Sequence, residues 1–255
     1  TLKERLDAEH QEVSSQLAEI AINVKTFGAK GDGITDDRPH FESALNHLKT
    51  IGGGTLRIEG GRFLLNSYSS DSALASFWGQ ILPLYSNIKI VIAENAEVVV
   101  GDFFNNKKFM LFSSFNDVDS NFTNVDNVTF EGGGKISFSG TTSKMESVIS
   151  KRVGIALGKF KNVVIQNITF ADGDLRNGII GGFETDNQYF TVRDCKFIDL
   201  VQDGVNNDFT AVYANAEFSH VVDCDFSNES RKGAEISTCV ELHQSNSYWK
   251  GRYSA

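Results

Sequence analysis

The residues best suited to chemistry lie in the last third of the chain. Three short segments there share a pattern: LRNGIIGG at 175–182, VQDGVNND at 201–208 and STCVELHQSN at 237–246. Setting Gly178, Gly204 and Cys239 side by side turns Ile179, Val205 and Val240 to one face, because successive strand residues alternate sides. Three columns then occupy the other face: Asn177/Asp203/Thr238, Ile180/Asn206/Glu241 and Gly182/Asp208/His243. The expected result is a patch of Asp203, Asp208, Glu241 and His243. Strand spacings of about 4.8 Å across and ~6.6 Å along would put Asp208 and Glu241 about 8 Å apart. Carboxylates about 6.5–9.5 Å apart leave room for the water that attacks a glycosidic carbon from the far side. A third carboxylate nearby raises one pKa and so separates an acid from a base. His243 is a further candidate base. These four are the candidate catalytic residues. Asn177 and Asn206 are candidate substrate contacts, as are Arg176, Arg231 and Lys232, which suit an anionic sugar or a phosphate. An ordinary solvated face is the competing reading of the same residues.

Such a patch needs stacked strands, and the sequence supplies a repeat. NVVIQNITF (162–170), YFTVRDCKF (189–197) and FSHVVDCDF (218–226) superpose, with Phe170, Phe197 and Phe226 spaced by 27 and then 29 residues. Ile168, Cys195 and Cys224 travel with them, and so do Asn167, Asp194 and Asp223. Looser members are NIKIVIAENAEVVV at 87–100 and NVTFEGGGKISF at 127–138. A strand-rich repeat of this length fits one rung of a solenoid, whose apolar face is buried only by stacking on the next rung. The spacing predicts a vertical file of phenylalanines, with Cys195 and Cys224 as core fillers. Asn167, Asp194 and Asp223 belong at a turn.

Upstream, INVKTFGAKGDGITDD at 22–37 precedes a stretch where Phe41, Ala44, Leu45 and Leu48 form one apolar helical stripe. Thr35, Asp36 and Asp37 suit its N-terminus, and Pro39 is tolerated only in a first turn. Gly-Ala-Lys-Gly-Asp-Gly at 28–33 is not followed by the Lys-Ser/Thr of a phosphate cradle. Before it, Leu6, Val13 and Ile20 recur every seven residues with Leu2, His10 and Leu17 between them, the seam of a short coiled coil or, as the alternative, the apolar face of a single amphipathic helix lying on the domain.

The Gly-Asp-Gly-x-x-Asp-Asp turn, with its strand and helix, resembles the opening of the pectate-lyase-like superfamily shared by phage tailspikes. Arg38-Pro39-His40 departs from the small residues usual after the paired aspartates. Asp32, Asp36 and Asp37 are assigned to turn and cap duty. The resemblance implies a right-handed parallel β-helix with an N-terminal coiled-coil segment (1–21), a strand-turn-helix cap (22–66) and β-helix coils (67–255) that continue past Ala255. FTVRDCKFIDLVQDGV is similar to the polygalacturonase coil bearing Gln-Asp-Asp-Cys, but only Gln202 and Asp203 match. A coiled coil leading into this turn resembles tail appendages of phages that infect Gram-positive hosts. That implies a homotrimer in the virion tail, contacting other tail or neck proteins, that binds and depolymerises a bacterial surface polysaccharide or teichoic acid. The alternatives are a non-enzymatic adhesion shaft and a secreted bacterial polysaccharide lyase or hydrolase.

Composition narrows the partners. With 24 Lys+Arg against 33 Asp+Glu the net charge is −9, a poor match for nucleic acid, whose binding depends on neutralising phosphates. No run of 18 apolar residues predicts a membrane span. The three cysteines sit at no metal-ligand spacing, so no cofactor or metal is expected, and no motif supports Ca²⁺.

Overall fold

The computed structural model describes residues 12, 20–69, 79–116, 121–141, 152–200 and 210–227 in full. It adds the backbone of the strands Lys232–Ser237, Leu242–Ser245 and Tyr248–Lys250. The coiled-coil expectation at 1–21 falls almost wholly outside these residues, although Ala21 already opens a strand, Ala21–Asn23.

The chain winds as a parallel β-helix with three long sheets, to which each full coil adds one strand apiece. The first sheet contains Gly54–Ile58, Ile88–Ile92, Val125–Glu131, Phe160–Gln166, Gln188–Arg193, Glu217–Val222 and Leu242–Ser245. The second contains Gly61–Leu65, Ala96–Val100, Lys135–Ser137, Thr169–Ala171, Lys196–Ile198, Asp225–Ser227 and Tyr248–Lys250. The third contains Gln80–Pro83, Phe109–Ser113, Arg152–Leu157, Asn177–Gly181, Thr210–Asn215 and Lys232–Ser237.

Register makes the core. Phe63, Val98, Ile136, Phe170, Phe197 and Phe226 form one continuous inward file, and Trp249 takes the next position. Phe170 and Phe197 stack at 5.1 Å with planes 5° apart, and Phe197 and Phe226 at 5.1 Å and 9°. The predicted file of phenylalanines therefore stands. Ile168, Cys195 and Cys224 are buried beside it, and burial pushes the Cys195 thiol well above its ordinary pKa. Asn167, Asp194 and Asp223 hold φ of 50°, 54° and 52°, the left-handed conformation that Asn and Asp tolerate best.

The opening of the solenoid is a cap. The helix α1 (Arg38–Thr50) buries Phe41, Ala44, Leu45 and Leu48 against it. All three turn aspartates are engaged. Asp37, fully buried, accepts from the amides of Lys30 (2.6 Å) and Gly31 (3.0 Å). Asp36 accepts from Asn66 N (2.8 Å) and Ser67 Oγ (2.6 Å), tying the turn to the next coil. Asp32 accepts from Ile34 N, Thr35 N and Thr35 Oγ1, bonds that hold its carboxyl below the usual range. Turn duty is right, and cap duty falls to Asp36, which accepts from the first helical amide, Arg38 N, at 3.2 Å; Asp37 sits at the helix N-cap without bonding it, because its carboxylate is turned back into the loop. The unusual Arg38-Pro39-His40 entry is built in. Arg38 pairs with Glu42 at 2.6 Å, both side chains 9% exposed, and His40 Nδ1 lies 2.8 Å from the Phe27 carbonyl.

Candidate functional site

The three outer faces differ. On the first sheet, exposed polar groups satisfy one another: Lys89 pairs with Glu131 at 2.6 Å, Gln166 donates to Glu131 at 2.8 Å, and Arg193 donates to Gln166 at 2.7 Å. On the second, Arg62, Glu97, Lys135 and Asp172 form a chain of ion pairs at 3.1, 3.4 and 2.5 Å. The third sheet is different in kind. Its strands Phe109–Ser113, Arg152–Leu157 and Asn177–Gly181 are buried at every position, with no in–out alternation. Met110, Val153, Ala156 and Ile180 form a second apolar cluster, separate from the main core, with Phe115, Phe122 and Tyr213 packed on it.

This outer face ends in partly exposed aromatic rings. Phe122 lies between Phe115 (5.1 Å, 67°) and Phe183 (4.7 Å, nearly parallel at 16°), and Phe183 is 37% exposed. The row Ala156, Ile180, Tyr213 continues to Glu235 in the next coil. Glu184 and Asp186 stand exposed beyond Phe183, with Asp186 3.5 Å from Lys159. The cluster itself is covered, so what a ligand can reach is the strip of partly exposed rings, Phe115, Phe122, Phe183 and Tyr213, with Glu184 and Asp186 nearby; it matches the two demands of sugar binding, C–H faces that stack and hydroxyls that need hydrogen-bond acceptors.

The register of this sheet corrects the sequence alignment. Asn177 pairs with Thr210, and Thr210 with Lys232; Ile179 pairs with Val212, and Val212 with Ala234. Gly178 therefore stands beside Ala211, not Gly204. His243 belongs to another sheet, pairing with His220 on the first, so it does not share a column with Gly182. Glu241 directly precedes Leu242, which pairs with Ser219 on that same first sheet. Asp203, Asn206, Asp208, Glu241 and Arg231 lie outside the described residues. Asp203 and Asp208 fall in 201–209, which leads into Thr210–Asn215 of the third sheet.

Of the predicted contacts, Asn177 and Lys232 do share a column, with Thr210 between them. Asn177 is not a free contact, however. It is 3% exposed and its amide donates to Thr210 O (2.8 Å) and Thr210 Oγ1 (2.6 Å), a rung-to-rung tie. Arg176 is half-buried one residue earlier, its amide donating to Arg152 O at 3.0 Å.

Sequence reasoning missed Arg152, Tyr213 and Phe183. Arg152 is fully buried at the head of a third-sheet strand. It donates to the carbonyls of Phe104 (3.0 Å), Lys107 (3.1 Å) and Asn105, and burial lowers its pKa to about 10. Its neighbour in sequence is Lys151, so nothing in the chain set it apart from a surface pair. Among the described residues no group of three His, Cys, Asp or Glu is placed to hold a metal ion.

Comparison with known proteins adds to this geometry. Tailspike proteins of E. coli bacteriophage HK620 superpose with TM-scores of 0.72 and 0.74 at 25% and 26% identity, over 88% and 86% of this chain. One of these was solved in complex with a hexasaccharide. Plasmin and fibronectin-binding protein A of Streptococcus pneumoniae is 26% identical over 170 residues, 63% of this chain. Alginate lyase 7 of Azotobacter vinelandii is 36% identical over 83 residues, 32% of this chain. The chain spans 22% of the pneumococcal protein, 9% of the lyase, and 41% and 40% of the two tailspike chains. The profile of the rhamnogalacturonase A/epimerase, pectate lyase-like proteins matches residues 21–235, and the chain belongs to that family.

Proposed function

We propose that this protein is part of a phage tail appendage that binds a bacterial surface polysaccharide or teichoic acid and depolymerises it. The observation that carries the reading is the strip of partly exposed rings, Phe122, Phe183 and Tyr213, at the outer edge of the third sheet. It lies on a fold shared with tailspikes solved with oligosaccharides, in a chain that also has sequence likeness to an alginate lyase. The polymer would lie across these rings. Asp203 and Asp208, in the segment leading into the third sheet's fifth strand, are the first candidates for acid and base, with Glu241 as a further candidate; His243, on the first sheet, is not part of this site. Arg176, Arg231 and Lys232 would meet anionic groups. Three copies would join through the coiled coil in the virion tail, beside other tail proteins.

The test is incubation with host capsule or wall teichoic acid, with product length followed by gel or chromatography. Wild type is expected to shorten the polymer, and Asp203→Asn or Asp208→Asn to slow it at least about 100-fold, the usual contribution of a positioned acid or base. Full activity in Asp203→Asn, Asp208→Asn and Glu241→Gln alike would remove these residues from the reaction. Light scattering that gave a monomer would remove the trimer. A second reading, a binding module without catalysis, is favoured by the likeness to the pneumococcal protein. It predicts retention of polymer with no shortened products. A third reading, a secreted lyase or hydrolase, has the alginate lyase likeness in its favour.

A further inference from the structure

One backbone position is repeated at the corner where each coil passes from the third sheet to the first. Asn87, Asn127, Asn162, Tyr189 and Phe218 occupy it, all left-handed, with φ of 60°, 57°, 58°, 58° and 56°. From Asn127 onward the residues at this position stand opposite one another in unbroken register but drop out of the parallel pairing: Asp126 pairs with Lys161 and Val128 with Val163, and the next two coils do the same. It is a left-handed kink repeated from coil to coil. Asn fits such a site, because its short amide tolerates positive φ and bonds locally. The first three residues exploit this. Asn127 Nδ2 donates to Asn87 Oδ1 at 2.9 Å, and Asn162 Nδ2 to Asn127 Oδ1 at 3.1 Å.

The ladder then stops, and two aromatic residues take the same strained position. A bulky side chain at positive φ is a genuine outlier, and strain of this kind persists where something else depends on it. Core packing is not that reason. Tyr189 and Phe218 belong to neither apolar cluster and are half-buried. Their rings stack at 5.0 Å with planes 6° apart. Beside them in sequence, Gln188 donates to Glu217 at 3.2 Å, so an amide–carboxylate pair flanks the two rings.

We propose that Tyr189 and Phe218 form a sugar-stacking subsite at this corner, separate from the strip on the third sheet. The chemistry is that of a pyranose: the stacked rings meet its C–H face, and Gln188 and Glu217 meet its equatorial hydroxyls. The inference rests on the reading that this protein binds a glycan, and adds a second contact along the polymer.

The experiment replaces each aromatic residue with the one its position prefers. Tyr189→Asn and Phe218→Asn extend the ladder and relieve the strain, and Tyr189→Phe keeps the ring. Melting temperature is measured for each, and affinity for immobilised alginate, polygalacturonate, host O-antigen and host wall teichoic acid. Expected are Asn variants that melt at or above wild type and bind the retained polymer about five- to tenfold more weakly, with Tyr189→Phe close to wild type. Should a variant melt lower, affinity is compared at a temperature where circular dichroism shows it folded. Unchanged affinity in folded Asn variants overturns the subsite while leaving glycan binding intact. A wild type that retains none of the four polymers overturns both readings.

Discussion

Two aromatic stacks in this molecule share almost the same geometry. Phe170, Phe197 and Phe226 stand 5.1 Å apart and nearly parallel, and Tyr189 and Phe218 stand 5.0 Å apart and nearly parallel. The spacing comes from the solenoid itself, since any residue repeated once per coil is lifted by one strand separation. Stacking therefore does not distinguish structure from recognition. Burial and backbone conformation do. The phenylalanines are at most 1% exposed and lie in the main core, whereas the other pair is partly exposed, outside both clusters and at positive φ.

The sharpest way to break the comparison is to truncate one ring in each stack. Phe197→Ala should destabilise by about 3–5 kcal/mol, the range for a buried phenylalanine, read as a shift in the denaturant midpoint. Phe218→Ala should cost at most about 1 kcal/mol, since part of its surface is already wet and the strain is unchanged. Equal losses would place both stacks in the core. The same contrast holds for cations. Arg152→Met should cost about 3 kcal/mol, because it strands the carbonyls of Phe104, Asn105 and Lys107 without a donor. Arg62→Met, whose side chain is 50% exposed beside Glu97, should cost less than about 1 kcal/mol. In the ladder beneath the aromatic pair, Asn127→Ala should lose about 1 kcal/mol through one side-chain bond on each side. The smallest effect is Asp32→Asn. The folded carboxyl is held below 3.8, so what it adds is present above that value and fades as pH falls through the lowered one. The gap in melting temperature between Asp32→Asn and wild type should therefore be widest near neutral pH and close below pH 3.8.

Much of the fold was legible because several strands of the first two sheets keep an in–out alternation. Val163 and Ile165 point in, Val164 and Gln166 point out, and the period of two carries through each repeat. The third sheet was not legible for a physical reason. With both faces covered, Arg152–Leu157 and Asn177–Gly181 lose their polar side, so the pattern that sets register vanishes. The small residue before Ile179, Val205 and Val240 then looked like an alignment cue, and the true partners, Ala211 and Gly233, were passed over. The corner column was visible in the repeat alignment, where Asn162, Tyr189 and Phe218 already share a position. What the sequence lacks is φ, and without it two aromatic residues in an asparagine's place look like ordinary variation.

The charges along the second sheet bear on how coils are counted. Asp32, Arg62, Glu97 and Lys135 occupy successive coils in one outward row, so sign reverses at each step. Individually these exposed pairs add little, but together they make the array sensitive to parity. Excising the single coil that carries Glu97 would set Arg62 against Lys135, whereas excising the coils of both Arg62 and Glu97 would bring Asp32 opposite Lys135 and keep the alternation. Natural length variants of this solenoid, or engineered ones, should therefore tolerate loss of these coils in twos better than singly.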